Sequence, residues 1–174
     1  MKRCVTWSAL ALAIVMLAPL TAAAQDRSVE VTAILNGTEE NPPTSTAGVG
    51  KATCRITETN VTCAVVFYNA ETTVVAGHIH AGPRGINGPV ILDFAPPAVS
   101  NDLGFTRTVE STALRPAAAF GINSFDDVKQ SCSSGGCYFN LHTQNFPGGY
   151  IRGQLCPRSA AANSFTGIAI CTAE

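Results

Sequence analysis

The reading of this chain turns on the stretch Ala76-Gly77-His78-Ile79-His80-Ala81-Gly82-Pro83-Arg84-Gly85-Ile86-Asn87-Gly88-Pro89-Val90. A β-branched run leads into it from Thr72, and a strand sends successive side chains to opposite faces. Ile79 then points one way, and His78 and His80 point the other. The glycines and prolines that follow end the strand and open a loop. The chain's only other histidine, His142, lies in Tyr138-Phe139-Asn140-Leu141-His142-Thr143. That segment runs on to Pro147-Gly148-Gly149-Tyr150-Ile151-Arg152-Gly153-Gln154-Leu155. Phe139 and Leu141 share a face opposite Tyr138, Asn140 and His142. Ile151 and Leu155 share a face opposite Tyr150, Arg152 and Gln154. With the apolar faces turned to a core, all three histidines share the remaining face with Arg152 and Gln154, and the two segments meet to form a polar site.

Strand signals surround this centre. Val29 to Leu35 reads as a first strand, and Asn36 to Gly48, with Pro42-Pro43, as a loop. Gly50–Ile56 and Val61–Asn69 form a hairpin across Thr57-Glu58-Thr59-Asn60. Pro89–Phe94 and Phe105–Glu110 are short strands, with Ala95-Pro96-Pro97 breaking the first. Ser124, three residues before Asp127, marks a helix start of about two turns, which Gly135 keeps short. Tyr138–Thr143 and Tyr150–Cys156 pair across Pro147-Gly148-Gly149, and Phe165–Cys171 is a candidate edge strand or ordered tail. Strands at this spacing with so little helix predict an all-β Greek-key sandwich or barrel carrying at most one short helix.

The first 24 residues have the pattern of an export signal: Lys2 and Arg3, an apolar run from Leu10 to Leu20, then Ala22-Ala23-Ala24 as a cleavage site. The run is short for a bilayer span and is interrupted by Pro19, so no stable membrane span is expected after cleavage. Residues 25–174 form one domain of ordinary size, secreted or periplasmic. Removing Lys2 and Arg3 from 11 basic residues leaves 9 against 12 acidic, a net charge of −3. With no Lys or Arg run, a nucleic-acid partner is excluded, and the expected partner is a protein or other extracellular ligand.

Cys4 leaves with the signal, so six cysteines remain, and an even number in an exported chain points to disulfides. Counting back from the hairpin turn sets Cys54 opposite Cys63. Cys132 and Cys137 bracket Ser-Ser-Gly-Gly, and Cys156 with Cys171 is left to pin the C-terminal tail. No CxxC suggests a cysteine metal site.

Three imidazoles converging on a strand surface could bind copper or zinc and leave a position open. The competing reading makes His78, His80 and His142 scaffold: with Asn140, Arg152 and Gln154 they hydrogen-bond the loop that carries Gly82, Gly85, Asn87 and Gly88. His-x-His recurs often by chance, so the scaffold reading takes precedence. Gly82-x-x-Gly85-x-x-Gly88 lacks the spacing of a phosphate loop, and no nucleophile elbow is present. Asp93 reads as a strand-end carboxylate, and Asp126-Asp127 as a helix start. With no complete catalytic set, the expectation is a non-enzymatic binding or structural module.

These motifs resemble a known family. His78-Ile79-His80 with Gly82-Pro83 and Gly85-Ile86-Asn87-Gly88-Pro89-Val90 is similar to the signature of the CHRD domain. Tyr138–Thr143 and Pro147–Leu155 resemble its closing hairpin. Gly37-Thr38-Glu39-Glu40-Asn41-Pro42-Pro43, with Thr46 and Gly48, resembles its first strand and loop. The match runs in order over nearly all of residues 25–174. It implies a secreted all-β domain akin to the Greek-key sandwich of copper/zinc superoxide dismutases. Dismutase chemistry does not follow: the two-metal site takes six histidines and an aspartate, a copper-only site takes four histidines, and this chain has three. Tyr150 stands where the family usually has an acid, which puts in doubt any ion pair made by that acid. The cysteines look like additions to the family pattern.

Overall fold

The computed structural model describes residues 27–95 and 104–157. Residues 1–24, read above as an export signal, the candidate strand Phe165–Cys171 and the cysteines Cys4 and Cys171 lie outside the described residues. The elements are β1 (Val29–Asn36), β2 (Val49–Ile56), β3 (Asn60–Tyr68), β4 (Val74–Ala81), β5 (Val90–Asp93), β6 (Gly104–Glu110), α1 (Phe125–Ser133), β7 (Cys137–Thr143), β8 (Ile151–Gln154) and β9 (Cys156–Pro157). All pairings are antiparallel. They join into one sheet of order β5-β4-β7-β8-β1-β2-β3-β6, with β9 beside β1. This curled, nearly closed all-β fold has the class the sequence predicts.

β3 has the cleanest sequence logic. Val61, Cys63, Val65 and Phe67 are buried while Ala64, Val66 and Tyr68 are exposed, a strict two-residue period. The β2–β3 register pairs Ile56 with Val61, Arg55 with Thr62 and Cys54 with Cys63, as counting from the turn predicts. Cys54 and Cys63 are disulfide-bonded, with Cα atoms 4.1 Å apart. Cys132, on α1, is bonded to Cys137 at the start of β7. Cys156 is buried, and its expected partner Cys171 is outside the described residues.

Helix α1 begins as the sequence signals. Asp127 N donates to the Ser124 hydroxyl, and the Asp127 carboxylate accepts from Ser124 N, closing a capping box. Its nine residues make it slightly longer than two turns. Val128 and Cys132 face the core, one turn apart. The last hairpin differs in detail from the expectation. Tyr150–Cys156 is not one strand: β8 ends at Gln154, Leu155 N turns back to Cys137 O, and β9 then pairs with β1.

The period of two disappears at the centre of the sheet. Every residue of β7 and of β8 is buried. One face of these strands carries Phe139, Leu141 and Ile151 into the core. The other face is covered by the loops after β1 and β4, and the site lies under them.

Candidate functional site

Register alone builds a polar row across five strands. Asp93 (β5) pairs with His78 (β4), His78 with Asn140 (β7), Asn140 with Arg152 (β8), and Arg152 with Asn36 (β1). Directly paired residues keep their side chains within contact distance on one face. The next row holds His80, Tyr138 and Gln154. His142 lies one row to the other side, opposite Ala76.

The three histidines meet. One ring nitrogen from each lies within 4.8 Å of the others. His78 Nδ1 and His142 Nε2 are 3.0 Å apart, and His78 donates, because the hydrogen of neutral His142 is on its Nδ1. On the far side of the other two rings a backbone carbonyl accepts. His80 Nδ1 donates to Gly88 O at 2.9 Å, and His142 Nδ1 donates to Pro147 O at 3.0 Å. His78 Nε2 lies 3.7 Å from Asp93 Oδ1, and Asp93 also pairs with Arg115 at 3.2 Å. With its Nδ1 hydrogen committed, neutral His80 presents a bare lone pair at Nε2, and that atom is buried without a partner.

Burial pushes all three imidazoles below their ordinary pKa, because desolvation penalises the charged ring. His80 falls to about 4; the Gly88 carbonyl partly offsets burial, and His78, His142 and Arg152 add to the fall. His78 is lowered further by His142 and raised in part by Asp93. At neutral pH the three rings are therefore uncharged, each with one N–H and one lone pair.

The covering loops are held by the residues the sequence singles out and by some it does not. Gln154 donates to Gly82 O at 3.0 Å and to Cys137 O at 2.7 Å. Arg152 donates to Asn87 Oδ1 at 2.8 Å and to Glu39 O, and its guanidinium lies over the Tyr138 ring at 4.7 Å. Tyr138 in turn stacks on His80, centroid to centroid 4.8 Å and nearly parallel. Gly88 is required sterically, since a Cβ there would sit 1.5 Å from Ala81 O. Gly85, at φ 79°, turns the exposed tip of the loop. The two loops clasp each other: Asn41 donates to Gly85 O at 2.7 Å, Asn87 to Asn41 O at 2.6 Å, and Arg84 pairs with Glu39.

Asn140 does not bond the glycine loop. Its amide donates to the carboxyl of Glu40, a residue that strand periodicity leaves unmarked. Glu40 is 7% exposed, and desolvation raises its pKa to about 7 against the opposing pull of Arg152 and Asn140. Glu40 thus supplies an acid beside Arg152, although Tyr150 occupies the place before Ile151. Tyr150 is fully buried, and its hydroxyl donates to Asn69 O at 2.6 Å and contacts the Thr46 hydroxyl at 2.9 Å. Glu40 is the residue sequence reasoning missed, and Asp93, read only as a strand-end carboxylate, also faces His78. Their loop and strand-end positions have no period, and only the family-like Gly37–Pro43 segment drew attention to Glu40.

Compared with known proteins, the chain matches the family model of the CHRD domain over residues 31–155. No curated protein and no solved structure matches it. Among the described residues, no helix is long and apolar enough to cross a membrane.

Proposed function

The chain belongs to the CHRD domain family, and from that premise we propose that it is an exported, non-enzymatic binding module whose centre is a mononuclear copper or zinc site formed by His78, His80 and His142. The observation that carries this reading is the division of labour within each ring. Gly88 O and Pro147 O each accept from one ring nitrogen, Asp93 Oδ1 lies 3.7 Å from His78 Nε2, and one ring nitrogen from each histidine lies within 4.8 Å of the others. Outer acceptors of this kind orient metal-binding imidazoles and strengthen their basicity. Three nitrogen donors with no thiolate suit zinc or copper and leave a coordination position open for an external ligand. Lowered pKa values favour the same reading, because the rings are uncharged at pH 7 and His78 needs only to shift its hydrogen from Nδ1 to Nε2, the side of Asp93, to free the third lone pair.

The scaffold role is compatible with it. The nitrogen that anchors the loop at Gly88 is not the one that would hold the metal. Export is supported by the signal-like first 24 residues, by the two disulfides and by the family. On this reading residues 25–174 are the exported domain.

Elemental analysis of protein purified without chelator tests the site. The expected result is near-stoichiometric copper or zinc that is lost in His142→Ala and His80→Ala, both still folded. Wild-type protein that is metal-free and takes up neither ion when they are added sinks the proposal.

A further inference from the structure

A second cavity lies beside the histidine cluster and contains none of its residues. It has a volume of about 460 Å³ and opens between the loop after β1 and the β7–β8 turn, lined by Glu40, Asn41, Asn87, Asn145, Phe146 and Pro147 among others. That size lies within the range of pockets that hold small molecules. Its wall contains a built but incomplete polar group. Glu40 Oε1 is buried with no hydrogen-bond partner, and so is Asn140 Oδ1 behind it. Such groups cost free energy unless something completes them. Gly149 packs directly on this pair: at φ 144°, a Cβ there would stand 2.6 Å from Glu40 Oε2 and 2.8 Å from Asn140 Nδ2. Phe146 offers an apolar surface, and it is held in place by packing on Tyr150 with ring centroids 5.5 Å apart.

The lining selects the ligand by charge. No Lys or Arg lines the cavity, so nothing there compensates an anion. The acid in the lining, Glu40, feels the opposite charge of Arg152, which bonds Asn87 and Glu39 O, so the wall offers a cation no uncompensated charge either. What remains is a neutral molecule with hydrogen-bonding groups along one edge and an apolar face. Side-chain amides and a carboxyl group beside an aromatic ring fit the hydroxyl pairs and C–H face of a sugar ring.

We propose that this cavity binds an uncharged saccharide of one or two units, with Glu40 as the buried hydrogen-bonding anchor and Phe146 as the stacking platform. The site is distinct from the histidine cluster: none of its lining residues is a histidine, and the two touch through Pro147, whose carbonyl accepts from His142.

The test is isothermal titration of the whole exported protein with uncharged sugars: glucose, galactose, mannose, xylose, N-acetylglucosamine and their disaccharides. At least one should bind with a saturable heat. Glu40→Leu, which keeps volume and removes both oxygens, should weaken that binding about tenfold or more, a loss of the size one buried hydrogen bond explains. Phe146→Leu, which keeps apolar bulk and removes the ring, should weaken it several-fold. Should Glu40→Leu fail to fold, Phe146→Leu and the exposed rim variant Asn145→Ala decide the matter. The proposal is overturned if no sugar binds at up to about 50 mM, some fiftyfold weaker than millimolar affinity. It is also overturned if binding survives the loss of both Glu40 and Phe146.

Discussion

Glu40 and the histidines titrate in opposite senses, and this gives the protein a pH signature that single residues can be made to reveal. The pKa of Glu40 is raised from 4.5 to about 7 in the fold. Its contribution to stability is therefore fully present below about pH 4.5 and is lost as the pH rises through about 7, because the folded state holds the proton longer. His80 is lowered from 6.5 to about 4. Its neutral form is the one the fold accepts, so its contribution is present above pH 6.5 and is lost as the pH falls toward 4. The histidine contribution cancels when wild type is compared with Glu40→Gln in metal-free protein. The variant should gain on wild type by roughly 3 kcal/mol between pH 4.5 and pH 8, from the size of the Glu40 shift. Denaturant melts at several pH values check this, and a stability difference independent of pH contradicts it. Tyr150 belongs to the same scale. Its buried hydroxyl bonds Asn69 O and the Thr46 side chain, so Tyr150→Phe should cost about 1–2 kcal/mol by leaving that carbonyl short of a donor. An unchanged melting temperature would show that neither bond matters.

At the scale of elements, the β2–β3 hairpin and the β7–β8 hairpin are built by different rules. β2–β3 is local. Its turn, its alternation and its Cys54–Cys63 bridge all agree in sequence, and the observed register follows from counting. Closing a loop of nine residues restricts the unfolded chain by about 2–3 kcal/mol on the chain-entropy account. Replacing both cysteines by alanine should lower stability by about that amount and leave the histidine cluster, on other strands, able to bind metal. A double variant as stable as wild type would mean that the bridge merely decorates a hairpin already fixed by packing. The β7–β8 hairpin is buried on both faces, and its polar face has meaning only under the loops that cover it. Sequence period correctly separated its two faces, yet it did not reveal that the polar one is covered. Covering depends on where residues 37–48 and 82–89 fold, and loops carry no period.

For the whole molecule, ligand linkage is the decisive measurement. A metal that binds only the folded cluster stabilises by about 4 kcal/mol at a thousand times its dissociation constant. Added copper or zinc should therefore raise the melting temperature of wild type and leave that of His80→Ala unmoved; equal shifts in both would place the metal elsewhere. The sequence by itself determined the all-β class, the described strands to within a residue or two except that Tyr150–Cys156 splits into β8 and β9, the two observed disulfides and the shared face of the three histidines. Each of these rests on local chemistry: alternation, turn residues, counting across a hairpin, and a capping serine. Only the tertiary structure decided that Asp93 stands behind His78, that Glu40 reaches Asn140 beside Arg152, and that a cavity opens over them. The reason is physical. Partners in those contacts lie 15 residues apart in one case and about 100 or more in the others, and they are brought together by sheet register and loop covering. Neither leaves a mark on the residues concerned until the chain has closed on itself.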